Sequence, residues 1–418
     1  MATGFGPLLK NRAGSLAITW ALTAPVVLAG LGVCIDYLML SRTTTHLQAA
    51  ADAAALSSVK ELGLSGLSNE QIKAIGVSFT EETLSRWYSE SEIDATAINV
   101  DVDNGANSVE VAVTMTWSPF MLHMFDAKAT PVTVRARANN AARRLACVLG
   151  LSKVLPAGVE LWSDARLSAN NCNVYSNTEL PTGLIVKDDA TLRADMICVS
   201  GGYVALRPKA VSPDPITDCP AFEDPLASRS APKVGLCDHL AKVILNKTVT
   251  LDPGVYCGGL AILGTSKVTL NPGVYIIHNG LLKVGDKAQM TGENVGFYLS
   301  GLLTLMQFDS DTTIDLTAPK SGPLAGILFF EDRKAPPLRV HRIGSNNARN
   351  LLGTIYLPVG TLLVDANAPV ADQSAYTAIV AYSLQLQEGP DLQLNGDYDS
   401  TDVPVPEGLI VSRAVLTQ

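Results

Sequence analysis

Three kinds of hydrophobic patterning follow one another along the chain. From Ala13 to Ile35 no residue is charged, and at about 1.5 Å of rise per residue a helix of that length covers the roughly 30 Å hydrocarbon core of a bilayer. Behind it, Leu47-Gln-Ala-Ala-Ala-Asp-Ala-Ala-Ala-Leu56 keeps a helical period, with Leu47, Ala51, Ala54 and Ser58 on one face and Gln48, Asp52 and Lys60 elsewhere. The pattern predicts a transmembrane helix (13–35) that continues as a stalk (36–62), whose small-residue stripe admits a partner helix at close range. Gly63-Leu-Ser-Gly-Leu-Ser68 breaks the period. Asn69 then reads as the N-cap of a helix through Ile72, Ile75, Phe79 and Leu84 to Trp87.

From Ala95 the period becomes two. Residues 97–102 and 108–115 alternate around Asp103-Asn-Gly-Ala-Asn107, a hairpin signal, and residues 131–138 read as a third strand. The turn lacks the Gly and carboxylate offsets of a calcium loop. Residues 63–145 are thus expected to form a small α+β region. Beyond it helical periodicity almost disappears, and Val249-Thr-Leu-Asp-Pro-Gly-Val-Tyr-Cys257 returns as Val268-Thr-Leu-Asn-Pro-Gly-Val-Tyr-Ile276, 19 residues on at every matched position. Repeats of this length in a Gly-punctuated, β-rich chain predict a solenoid whose turns stack about 4.8 Å apart. The fold class expected is mainly β: the N-terminal helix and small α+β region, then a parallel, right-handed β-helix over 146–418, with a β-sandwich as the alternative. The stretch 209–233, rich in Pro, Ser and Asp, interrupts it as a long excursion. Cys219 and Cys237 flank part of that excursion, so a disulfide closing its base is one reading.

Arg12-Ala-Gly-Ser15, an apolar span containing Pro25, Asp36-Tyr37 and the Ala-rich tract together resemble the TadE/TadG-like Flp pilus-assembly family over about the first 60 residues. The resemblance implies a bacterial inner-membrane component of the machine that builds tight-adherence pili, with other Flp/Tad assembly proteins as partners. Were Gly14 a prepilin-type cleavage site, the fifth mature residue would be Thr19, where pilin-like members usually carry Glu; Thr19 cannot neutralise a neighbouring amino terminus. The uncleaved TadG-like branch is therefore the closer likeness. The helix followed by a small antiparallel sheet is similar to the membrane-proximal part of such proteins. Leu251-Asp-Pro-Gly-Val-Tyr-Cys-Gly-Gly259 and Gly326-Ile-Leu-Phe-Phe-Glu-Asp-Arg333 resemble their β-helical part, a likeness that also lets Cys237 pair with Cys257, in competition with the excursion-base reading. Many members also carry a cation-binding von Willebrand A-type domain. Asp309-Ser-Asp-Thr-Thr313 departs from its Asp-x-Ser-x-Ser motif at the third residue, so that domain and its metal are not carried over.

Composition narrows the classes. The 418 residues allow two or three domains. Only 17% are charged, net charge is −9, and no Lys/Arg cluster is long enough to follow a phosphate backbone, which argues against nucleic acid. Cys34 lies in the span, whereas Cys147, Cys172, Cys198, Cys219, Cys237 and Cys257 lie beyond it. An even number there suits an oxidising periplasm and up to three disulfides, and no Cys-x-x-Cys pair suggests a metal. Lys10 and Arg12 before the span against Arg42 after it place the N-terminus (1–12) in the cytoplasm and the rest outside.

Candidate chemistry is sparse. A β-helix invites comparison with carbohydrate-active enzymes, for which Asp309, Asp311 and Asp315 are the densest carboxylates, followed by Glu388, Asp391, Asp397 and Asp399. Both sets sit among Ser, Thr, Gly and Asn, as solvated turn residues do. His46, His123, His239, His278 and His341 have no metal-ligand spacing, and Gly259-Leu-Ala-Ile-Leu-Gly264-Thr lacks the Lys of a phosphate loop, so its glycines read as corners. No catalytic residue, cofactor, metal or small-molecule substrate is expected. The leading reading is a membrane-anchored periplasmic scaffold; the alternative is a membrane-tethered carbohydrate-binding or carbohydrate-active β-helix. An aromatic content of only 6% favours the scaffold, because glycan grooves are lined with exposed rings.

Overall fold

A computed structural model describes residues 13–62, 68–104 and 107–417. The expected cytoplasmic segment 1–12, the helix breaker at 63–67 and the hairpin tip at 105–106 lie outside the described residues. The chain divides into two compact units, Met1–Arg143 with Ser412–Gln418, and Arg144–Val411. It is 45% strand.

In the first unit, α1 (Ala13–Leu62) runs unbroken through Pro25. α2 (Asn69–Leu84) is capped one residue earlier than expected: the Ser68 hydroxyl accepts from the Gln71 N–H, and the Gln71 side chain accepts from the Ser68 N–H. Strands Ala97–Asp103, Ser108–Trp117 and the start of Thr130–Gly150 pair antiparallel in that order. Val109, Val111, Val113 and Met115 alternate onto the buried face and pack with Leu47, Ala50, Ala51 and Ala54 of α1. The inward stripe of α2 is Ile72, Gly76, Thr80 and Leu84. Phe79, expected on that face, is 47% exposed. The reason is close approach: a Cβ at Gly76 would lie 2.8 Å from Ser58 Oγ and 3.0 Å from a Val100 methyl, so the small residue, not the large one, marks the contact.

The second unit is a stack of parallel strands. The sequence repeat is in register, Val249 opposite Val268 and Leu251 opposite Leu270, and the pairing carries on to 289–292, 313–316 and 347–352. A typical level holds three short strands, for example Val295–Ser300, Met306–Phe308 and Thr313–Thr317. Gly259 and Gly264 turn corners with φ of +101° and +69°; a Cβ on Gly259 would strike the Leu281 backbone at 2.6 Å. Part of the stack is a closed, six-stranded parallel sheet. Closure arises because Gly273–Val284 and Asn347–Val364 are long enough to bend, each pairing with two shorter strands: Val295–Ser300 and Met306–Phe308 on one side, Ile327–Glu331 and Val340–Ile343 on the other.

Order in the stack is not order in the chain. The level holding 377–395 pairs not with a later segment but with an earlier one: Ile379 lies opposite Val148, Leu384 opposite Val159 and Asp391 opposite Arg166. From there the stack continues through 172–194 to 197–212. The chain therefore enters mid-stack, builds one end, and must return to the far end to begin the other part at His239.

Residues 213–236 make that return, which corrects the expectation of a local excursion. The Phe222 N–H donates to Asn177 Oδ1 at 2.8 Å, Asp224 Oδ2 accepts from the Tyr356 hydroxyl at 2.7 Å, and Arg333 donates to the carbonyls of Leu226 and of Arg229. Farther on, Arg229 donates to the Pro323 carbonyl at 3.0 Å. These contacts follow the order of the levels from Asn177 through Tyr356 and Arg333 to Pro323, so the segment is a strap laid along the stack. It also explains why Ile327–Glu331 is buried at every position. Phe329 continues the interior column of Tyr256, Tyr275 and Phe297, whereas Phe330 stands beside Tyr298 and Tyr356, with the Arg333 guanidinium 5.1 Å over the Phe330 and Tyr356 rings.

Candidate functional site

The segment that carries the most sequence information also carries a specific piece of geometry. Asp36 follows the apolar span of α1, and its side chain is almost fully buried. Oδ1 accepts the N–H groups of Phe120 (2.8 Å) and Met121 (3.0 Å), and Oδ2 that of Leu122 (2.6 Å). These donors open the 3₁₀ turn Leu122–Phe125 and would otherwise be orphaned at its N-terminal end. A carboxylate accepting three backbone donors is a strong, charge-assisted clasp. The sequence pointed to Asp36 only through the family likeness; its partner, some 85 residues away, left no local signal.

The small-residue stripe is covered within the chain. Leu47, Ala51, Ala54 and Ser58 are fully buried, but against this chain's own α2 and sheet, so they are not free to receive another protein's helix. Small side chains let two elements approach; they do not say whose.

The six cysteines beyond the apolar span form Cys147–Cys172, Cys198–Cys219 and Cys237–Cys257. The excursion-base pair Cys219–Cys237 is not formed. The two residues stand at opposite ends of the stack, whereas a disulfide needs Cα atoms within about 7 Å. Each instead fastens one end of the strap, Cys219 to Cys198 on the last level and Cys237 to Cys257 on the second. Cys34 is free and exposed.

One buried ionic cluster went unnoticed in the sequence. Glu331 Oε1 meets Arg339 Nη2 at 2.8 Å and His341 Nε2 at 2.9 Å, all three side chains being almost fully buried. The Met306 N–H donates to His341 Nδ1, so the ring proton sits on Nε2, toward the carboxylate. Arg339 also donates to the Gly301 carbonyl, and Glu331 Oε2 accepts from the Val359 N–H. The cluster ties neighbouring levels together, and its one unsatisfied atom is Arg339 Nε, which is buried without a hydrogen-bond partner.

The carboxylates weighed for catalysis do not converge. Asp309 is held by Lys283 at 2.5 Å, Asp315 accepts from Asn350, and Asp391 accepts from Gln393. Asp309, Asp311 and Asp315 lie on a level separated by two others from Glu388, Asp391, Asp397 and Asp399. The histidines are scattered as well. His46 stacks on Trp87, His239 leans on Tyr256, and His278 bonds Asn279 and Ser300. Among the described residues no group of three His, Cys, Asp or Glu is placed to hold a metal.

The site geometry defines a class: a disulfide-bonded, stacked-β protein carried on a helix long and apolar enough to cross a membrane. Within that class, residues 14–61 match the model of the TadE/G-like Flp pilus-assembly family, a domain of pilus assembly and not of a known enzyme family. No curated protein matches the chain, and no solved structure does.

Proposed function

We propose that the chain is a membrane-anchored structural component of Flp pilus assembly, with residues 13–35 spanning the bacterial inner membrane, the N-terminus in the cytoplasm and the β unit in the periplasm. The match over residues 14–61 carries this reading. Three disulfides support export, because such bonds persist in oxidising compartments. The β unit is a parallel β-helix in this reading, supported by its in-register levels of short strands.

It works by contact with other assembly proteins. The first level, His239–Leu245, pairs on one side only among the described residues and presents Leu240 at 77% exposure, with Leu236, Val243 and Leu245 beside it. An unpaired edge with an apolar surface is a place for another protein to bind.

The test is genetic and physical. Cells lacking the protein lose surface Flp pili and regain them with the wild-type chain; full piliation without it refutes the proposal. Leu240→Lys should leave the fold intact yet reduce co-isolation of other assembly proteins.

A further inference from the structure

We propose that the loop from Ser118 to Phe125 is a second membrane element, seated in the acyl region of the outer leaflet beside α1 and held there by Asp36. The inference rests on the anchoring reading above and extends it to a segment outside the matched residues. Its sequence, Pro119-Phe-Met-Leu-His-Met-Phe125, has one titratable side chain, His123. Phe120 and Met124 are 68% and 79% exposed, a large apolar surface for so short a loop in water.

The position of the loop says what covers that surface. Met121 lies on Gly32, where a Cβ would come within 3.1 Å of the Met121 Cβ. Met121 and Met124 also line, with Pro25, Leu28 and Gly32, an apolar groove of about 310 Å³. From Pro25 to Asp36 is about 16 Å along a helix axis, half the thickness of the hydrocarbon core. If α1 spans the membrane over 13–35, the loop stands beside its outward half, where Leu28, Leu31 and Val33 are likewise exposed. The groove suits one acyl chain of a phospholipid.

Non-helical backbone at that depth is tolerated only when its polar groups are satisfied. Here Pro119 has no N–H, the next three donors are taken by Asp36, and the N–H groups of Met124, Asp126 and Ala127 bond within the turn. Water would satisfy these donors at no structural cost; a buried carboxylate that does so fits a dry setting. The three donors thereby stabilise the Asp36 carboxylate at the point where an unpaired one would be expensive.

The experiment uses the full chain with its disulfides intact, in vesicles of phosphatidylethanolamine and phosphatidylglycerol. In a Cys34→Ala background, a nitroxide is placed in turn by Phe120→Cys, Met124→Cys, Leu28→Cys and Glu82→Cys, and its collisions with oxygen and with a water-soluble nickel chelate are measured. Labels at 120 and 124 should match that at 28, rich in oxygen collisions and lacking nickel ones, and differ from that at 82. Labels at 120 and 124 that behave like 82, with 28 still in lipid, overturn the loop proposal alone. If 28 also behaves like 82, the anchor falls and the loop with it. Adding Asp36→Ala should restore nickel collisions at 120 several-fold. No change there overturns the role given to Asp36, and the wild-type depth data test the loop independently should that variant fail to fold.

Discussion

The two units solve the same problem, burying short apolar segments, in opposite ways. In the first, two helices and a hairpin-linked antiparallel sheet meet through small residues, with Gly76 against Ser58 at the tightest point. In the second, neighbours in space are often far apart in the chain, the contacts are columns of rings, and a strap returns the chain to the far end. The first unit depends on a few places being small. The second depends on columns being continuous and on the strap staying fastened.

The largest effect expected is at the column. Phe297 lies between Tyr275 and Phe329 at ring distances of 5.5 and 5.2 Å, so Phe297→Ala should cost the β unit about 3–5 kcal/mol. Phe79→Ala, at an exposed aromatic of the first unit, should change stability by less than about 0.5 kcal/mol. Urea unfolding of both variants makes the contrast measurable, and equal losses would erase it.

Next comes the fastening of the strap. Replacing Cys198 and Cys219 together with Ser opens a loop of 21 residues and should remove about 2–4 kcal/mol. Limited proteolysis should then cut within 213–236 before any other part of the β unit. Cutting elsewhere first would mean that the strap is not what holds the ends. A smaller loss, about 1–3 kcal/mol, is expected for Gly76→Val, which forces α2 away from Ser58 and Val100; urea unfolding followed by far-ultraviolet circular dichroism would register it.

The smallest effect is a pH effect. Burial, with Asp252 and Asp238 adding negative charge, pushes the Tyr256 hydroxyl up to about 12; burial and Asp332 push Tyr298 up to about 12 as well. A raised value means the folded state holds the proton more tightly. The stability this contributes is complete below the ordinary value near 10 and lost as pH rises through about 12. The phenolate absorbance missing from Tyr256→Phe should therefore appear only together with alkaline unfolding. Its appearance near pH 10 in a folded protein would contradict the packed column.

How much of this was legible depended on the range of the signal. Periodicity located α1, both hairpin strands and the third strand, because each is written in consecutive residues. The repeat at 249 and 268 disclosed the parallel register for the same reason. It could not disclose that 379 lies opposite 148, since joining the two halves of the stack needs no repeated word. The strap read as an interruption because Pro, Ser and Asp mark any exposed segment, and its fastenings at Asn177, Tyr356 and Arg333 are single side chains. Phe79 misled because size was taken as the sign of burial, whereas Gly76 and Thr80 fill the contact. The spacing of Leu47, Ala51, Ala54 and Ser58 says that something packs closely there and not whose element it is; α2 and the sheet bury them within this chain. Asp36 and the Glu331, Arg339 and His341 cluster owe their meaning to residues brought near by the fold.

A cysteine map bears most directly on the account, because it reports both the compartment and the order of the stack. Protein taken from its native membrane under thiol-blocking conditions, digested without reduction and analysed by mass, should yield Cys147–Cys172, Cys198–Cys219 and Cys237–Cys257, with Cys34 blocked as a free thiol. A Cys219–Cys237 peptide would return the strap to a local loop, and six blocked thiols would place the β unit in a reducing compartment; either result contradicts the account.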